Sequence, residues 1–268
     1  MMTRLAAFTA LALVCTAAAA QEPKHPPLVI DNDTVGTLRE HQTGSIILPA
    51  GTPPFPAVVV LHGCNGITPN VRAWARRLAS WGYAALIVDS FTPRGIKDVC
   101  GHGLAFPGRE RAKDAFAAAA YLRTRADIDP ARIGAIGFSH GGWTAIAAAL
   151  ERFVTENAAK PFDAIVAYYP NCPPYKAPMA SDLLILAAGA DDWAPPKRCT
   201  DLAARYADAP AHKPLLKIYP GAFHTFDANR PDRIYFGHRL AYDANAATDS
   251  FDMTKKFLDS HLQGEKAQ

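Results

Sequence analysis

From residue 45 onward, short aliphatic and β-branched runs alternate with longer stretches of helical periodicity. The apolar runs at 45–48, 57–61 (AVVVL), 84–88 (AALIV), 133–136, 164–168, 183–187 and 215–219 each predict a strand. Helical spacing covers 71–81, 109–125, 141–153, 197–207 and 244–262, and the Ala-rich part of the second of these has small side chains suited to close packing on a sheet. Alternation of this kind is the signature of βαβ units and a mostly parallel α/β sheet. Ligands of such sheets gather at the carboxyl ends of the strands, so chemistry is expected in the residues directly after each apolar run.

Four strand ends carry it, in three groups. The first is Gly137-Phe138-Ser139-His140-Gly141, between a strand and a helix rich in small residues. A serine in Gly-x-Ser-x-Gly at a strand-to-helix turn is held in a strained conformation with its hydroxyl exposed, which makes Ser139 the candidate nucleophile. The second is the loop His62-Gly63-Cys64-Asn65-Gly66 after AVVVL. Acyl transfer needs two backbone N–H donors for the oxyanion, and Cys64 and His140 occupy those positions. The third is a pair of loops, Asp191-Asp192 after the 183–187 run and His224 after the 215–219 run. Their order, serine then acid then histidine, is that of a catalytic triad on this kind of sheet. His224 is the candidate base. Asp191 is preferred over Asp192 as its partner, with the other carboxylate left to cap the turn or the Pro-initiated helix.

Composition narrows the rest. At 268 residues, 49% hydrophobic and 20% charged, the chain suits one globular core, here assigned to residues 21–268. The net charge of +3 becomes +2 without the first twenty residues, which hold one Arg and no acid, and no basic cluster remains. Nucleic acid and anionic membrane are therefore not expected partners. Arg4, the apolar run 5–14 and Ala18-Ala19-Ala20 before Gln21 read as a signal peptide over residues 1–20, hence export to a periplasm or the medium. The apolar run is far shorter than the roughly 20 residues a membrane span requires, so no membrane anchor is expected, and bulky Val14 argues against lipid attachment at Cys15. Cleavage would leave Cys64, Cys100, Cys172 and Cys199, an even set in an oxidising compartment. Three pairings exist. Cys64 with Cys100 and Cys172 with Cys199 is preferred, because each pair joins two loops at one end of the sheet, and no cysteine spacing suits a metal site.

The motifs VVVLHGCNG, DPARIGAIGFSHGG, GADDWAPP and YPGAFHTFD, in this order, resemble the dienelactone hydrolase family of the α/β hydrolases over residues 56–262. The resemblance implies an eight-stranded, mostly parallel sheet flanked by helices, hydrolysis of an ester or lactone without cofactor or metal, and a triad acid at Asp191. Two positions depart from the family pattern. Its nucleophile is a cysteine where this chain has Ser139, and its acidic residue beside the oxyanion loop is Gly63 here.

Only some fourteen residues separate the fifth and sixth strands, too few for a helical cap, so an open mouth and a small substrate are expected. The segment 91–107 is expected to form one wall, with Phe91, Arg94, His102 and Trp193 as lining residues and Arg94 available to a substrate carboxylate. The same triad also serves acyltransferases and peptidases of the prolyl-oligopeptidase type, the latter with a propeller domain for which this chain has no counterpart. A non-catalytic exported binding protein on the same scaffold is the rival from another class. Nothing in the sequence specifies an oligomeric state.

Overall fold

The computed structural model describes residues 44–264. The expected signal peptide, residues 1–20 with Cys15, lies outside the described residues.

All seven apolar runs form strands of one sheet. These are β1 (Gly44–Ile47), β2 (Phe55–Leu61), β3 (Ala84–Val88), β4 (Ile128–Phe138), β5 (Ile165–Tyr168), β6 (Leu183–Ala188) and β7 (Leu215–Tyr219). They lie in the order β1-β3-β2-β4-β5-β6-β7, with β1 antiparallel to β3 and every other pair parallel. The expected eighth strand of this sheet is absent among the described residues. After β7 the chain puts its extended residues into a separate hairpin, β8 (Arg233–Tyr235) with β9 (His238–Leu240), and then enters a helix. That leaves β7 as an edge whose Leu215 is exposed.

Six α-helices cover the sheet among the described residues: α1 (Pro69–Ser80), α2 (Gly108–Thr124), α3 (His140–Ala148), α4 (Glu151–Glu156), α5 (Pro196–Arg205) and α6 (Ala244–Leu262). Because side chains alternate across a strand, β2 feeds both cores. Ala57, Val59 and Leu61 join a cluster with Ala115, Ala119 and Ile146, while Val58 and Val60 join another with Trp74, Leu78 and Leu258. Burial on both faces explains why the central strands read as unbroken apolar runs. The helix expected over 141–153 is two helices. Chain from the following loop intervenes where they part: Ala180 N–H donates to Ala149 O (2.8 Å) and Glu151 N–H to Pro178 O (2.9 Å), so Leu150 leaves the helical path.

Cys64 is bonded to Cys100 and Cys172 to Cys199, the preferred pairing. Loops of 36 and 27 residues are closed in this way, which in the chain-entropy picture stabilises the fold by about 3–4 kcal/mol each. No helix among the described residues is long and apolar enough to cross a membrane.

The tightest point of the fold is where β4 turns into α3. A Cβ on Gly137 would run into the backbone of Gly141, and one on Gly141 into the carbonyls of Leu61 and His62. Backbone has no room to yield at such a contact, so Gly141→Ala is expected to lower stability by about 3 kcal/mol or more. Gly264→Ala, which faces open space, should change it by less than about 0.5 kcal/mol. Urea unfolding with the disulfides intact measures both, and equal midpoints would contradict the packing described.

Candidate active site

Ser139 sits between the last residue of β4 and the first of α3, at φ 54° and ψ −113°. A non-glycine residue with positive φ is strained, and it persists here because its surroundings hold it. Ser139 N–H donates to Tyr168 O at 2.9 Å and its carbonyl accepts from Trp143 N–H at 3.0 Å. The bend turns the side chain away from both elements and toward the loop after β7.

That loop presents His224, whose Nε2 lies 2.9 Å from Ser139 Oγ. Its Nδ1 lies 2.6 Å from Asp191 Oδ2, in the loop after β6. Both side chains are almost fully buried. The carboxylate can only accept, so Nδ1 carries the proton and neutral Nε2 is left to accept from the serine hydroxyl. Asp191 Oδ1 accepts from the N–H groups of Trp193 and Ala194, both at 2.9 Å, which fixes the carboxylate from behind. Asp192 points the other way. It is exposed and takes His238 Nδ1 at 3.2 Å, so neither the turn-capping nor the helix-capping role expected for the second carboxylate applies.

His224 is held from a second direction by a network missed in the sequence. Asp227 Oδ2 accepts from Trp74 Nε1 (2.7 Å) and Asn70 Nδ2 (2.9 Å), and its Oδ1 accepts from Tyr169 OH (2.8 Å). The Tyr169 ring meets the imidazole edge-on at 4.8 Å. A buried carboxylate with three donors ties α1, the end of β5 and the histidine loop together. The only sequence signal was an Asp three residues beyond His224, which by itself reads as a loop acid.

The loop after β2 runs beside the serine. A methyl group on Gly63 would lie 3.9 Å from Ser139 Cβ. Cys64 follows, with its carbonyl accepting from Val99 N–H (2.9 Å) and its sulfur bonded to Cys100. His62 pins the same loop. Its Nδ1 donates to Gly63 O (2.8 Å) and its Nε2 accepts from Ser90 N–H (3.2 Å), so it bridges the ends of β2 and β3 in one tautomer. Burial first, then the nearby Arg111 guanidinium, hold His62 well below its ordinary value.

His140 is also buried. Arg111 Nη1 can only donate, so at 3.1 Å it makes His140 Nδ1 an acceptor and leaves the proton on Nε2, which faces Gly103 O at 3.4 Å. Burial, with Arg111 second, pushes His140 down to about 3. Arg111 is itself fully enclosed beneath the Phe91 ring, and burial lowers it to about 9. A fixed cation thus lies behind the turn that carries Ser139.

Of the expected lining residues only Trp193 lines the hollows that open on Ser139. Its ring is 5.2 Å from His224 and stacks on His238 at 4.8 Å. Phe91 is core instead, packed edge-on against His62 at 4.5 Å. Arg94 turns inward, donating to Asp114 at 2.7 and 3.0 Å and to Ser90 O at 2.7 Å, so it is not offered to a substrate. His102 is exposed outside both hollows. The mouth is partly covered by the β8–β9 hairpin, whose Tyr235 and Phe236 lie 6.0 and 6.3 Å from Trp193. The sequence concealed this hairpin because its two-residue turn is Phe236-Gly237, both at positive φ, where Asn-Gly is the usual signal. Among the described residues no three His, Cys, Asp or Glu side chains converge as metal ligands do.

A serine on a strained strand-to-helix turn of a mostly parallel sheet, facing a histidine and an acid from later strand ends, defines an α/β hydrolase. Within that class the chain belongs to the dienelactone hydrolase family, whose profile it matches over residues 43–262. It is 26% identical over 261 residues to a Bradyrhizobium sp. protein named "Probable 2-oxo-3-(5-oxofuran-2-ylidene)propanoate lactonase", covering 89% of this chain and 97% of that one. A Synechocystis sp. protein named "Putative carboxymethylenebutenolidase" is 24% identical over 82% of this chain and 92% of its own. Among solved structures, the "Putative Dienelactone Hydrolase" of Klebsiella pneumoniae has the same fold, with a TM-score of 0.62 at 21% identity over 78% of this chain and 88% of that one.

The two neutral histidines set a pH dependence of stability. Each is held below its unfolded value of 6.5, so the unfolded chain binds the proton first as pH falls. Their contribution is complete above about pH 6.5 and is lost as pH drops toward their folded values, at up to about 1.4 kcal/mol per pH unit for each. Unfolding free energy should therefore fall between pH 6 and 5, and His140→Gln should remove about half of that slope. An unchanged slope in the variant would contradict a neutral His140.

Proposed function

We propose that the chain is a serine hydrolase that cleaves small carboxylic esters or lactones through an acyl-serine intermediate. The observation that carries this reading is the continuous relay from Asp191 to His224 to Ser139, at 2.6 and 2.9 Å, on a strained turn. Family membership supports the same chemistry, as do the names of its relatives.

In this reading Ser139 Oγ attacks the carbonyl carbon as its proton passes to His224 Nε2. The carbonyl oxygen, now an anion, takes hydrogen bonds from the N–H groups of Cys64 and His140. Asp191 keeps the imidazole in the required tautomer and balances the imidazolium. His224 then gives its proton to the leaving alkoxide as the carbon–oxygen bond breaks. Water repeats the sequence on the acyl-serine, with His224 again as base, and releases the acid.

The polypeptide acts after export. Two disulfides suit an oxidising compartment, and a signal peptide over residues 1–20 would deliver the chain there.

Ser139→Ala is expected to lower kcat on 4-nitrophenyl acetate by about 10⁴-fold or more. Asp191→Asn should lower it about 10³- to 10⁴-fold, and Asp192→Asn less than about threefold. Steady-state kinetics on the three folded variants checks this, and similar losses in both aspartate variants would remove Asp191 from its assigned role.

A further inference from the structure

Two hollows of different size meet at Ser139. One, of about 50 Å³, lies over Phe138, Tyr169, Val71 and Leu240. At about 10–15 Å³ for each water-sized group, it has room for about four heavy atoms. The other, of about 160 Å³, runs past Cys100, Trp193 and Ala194. It shares Trp143, Asn171 and Arg198 with a groove of about 460 Å³ between α2 and α5.

That groove is built, cationic and aromatic. Its floor is Trp143, whose Nε1 donates to Tyr175 OH at 2.9 Å. One wall is the loop of Pro173 and Pro174, stapled to α5 by Cys172–Cys199. Arg109, Arg198 and Arg205 line it, against one acid, Asp201, which is already held by Lys197 Nζ at 2.8 Å on both oxygens. Arg198 is steadied by Asn171 Oδ1 at 3.0 Å and lies where the groove joins the hollow at Ser139. Guanidinium groups that share a groove with aromatic rings suit a flat or ring-bearing group that ends in an oxyanion.

We propose that the substrate is an ester with two unequal arms: a short one of up to about four heavy atoms in the small hollow, and a long one carrying a carboxylate or phosphate-like anion in the α2–α5 groove. Arg198 reads the anion nearest the reacting carbonyl, with Arg109 and Arg205 beyond it. The proposal rests on the serine-hydrolase reading and adds the class of substrate.

The test compares kcat/KM for charged and neutral esters of matched reactivity. 3-(4-Acetoxyphenyl)propionate against its primary amide puts the long arm on the alcohol, and monomethyl octanedioate against its ω-amide puts it on the acid. A phosphonate in place of the propionate group separates a phosphate preference from a carboxylate preference. In at least one orientation the anion should be preferred by about tenfold, and added salt should erode the preference. In the Arg198→Gln, Arg205→Gln double variant the preference should fall below about threefold, while Arg152→Gln, an exposed arginine outside the groove, leaves the ratio as it was. Turnover of 4-nitrophenyl acetate with no anion preference in either orientation, or a preference that survives the double variant, overturns the proposal alone. No turnover of 4-nitrophenyl acetate and no fluorophosphonate adduct at Ser139 overturns it together with the hydrolase reading.

Discussion

The whole site depends on one steric constraint, the approach of α3 to β4 and to the loop after β2 at van der Waals distance. Gly137 and Gly141 permit it by having no side chain at the points of contact. Only that approach forces Ser139 to positive φ and swings its hydroxyl out of the sheet. It also sets the main chain of Gly63 beside the serine, so Ser139 and the loop after β2 are placed by the same contact. The strain is tolerable because β4 is central, hydrogen-bonded to β2 on one side and β5 on the other. A strained turn on an edge strand would have less to hold it.

Around that fixed point the fold uses buried polar groups to hold loops that hydrophobic packing alone would leave free. Asp191 takes two backbone N–H groups and the imidazole, and Asp227 takes three side-chain donors, two from α1 and one from the end of β5. His62 bridges two strand ends through opposite ring nitrogens. Each group is buried and each has its partners, which is the condition under which burial of polarity rigidifies a structure without unbalancing it. Arg111 is different: its Nε and Nη2 have no hydrogen-bond partner among the described residues, and its charge is supported by the Phe91 face and nearby Asp114. Beside this cation His140 remains neutral, and its backbone begins α3 directly after the serine.

The two disulfides fix different walls around the site: Cys64 and Cys100 line the hollow at Ser139, and Cys172 the α2–α5 groove. Cys64–Cys100 ties the loop after β2 to the 91–107 wall, and Cys172–Cys199 ties the proline-rich loop to α5. The hairpin closes the third side by stacking and edge contacts, Trp193 on His238 and Trp193 near Tyr235 and Phe236. Two walls are therefore covalently set, while the hairpin is held at its tip by aromatic contacts and by the His238–Asp192 pair. The departures from expectation cluster on these walls. Phe91 and Arg94 lie in a segment rich in Gly and Pro, where a side chain's direction follows from what it packs against, and both found partners inside: His62 for the ring, Asp114 for the guanidinium.

The sequence by itself determined the seven strands and the order of serine, acid and histidine, because each is written in local signals: period, turn chemistry and position after a strand. For the cysteines it gave a preference among three pairings, which the structure decided. It did not determine where the 141–153 helix breaks, since the break is made by hydrogen bonds from residues 178 and 180. It preferred Asp191 to Asp192 but did not decide between them, because adjacent residues in one turn differ only in which way they face. Tertiary structure decided that by giving Asp191 two backbone donors and His224, and giving Asp192 to the hairpin. It also decided Asp227, Arg111 and the groove between α2 and α5, which are made of residues far apart in the chain. Such features depend on distances between elements, and no spacing along a single stretch of sequence records those.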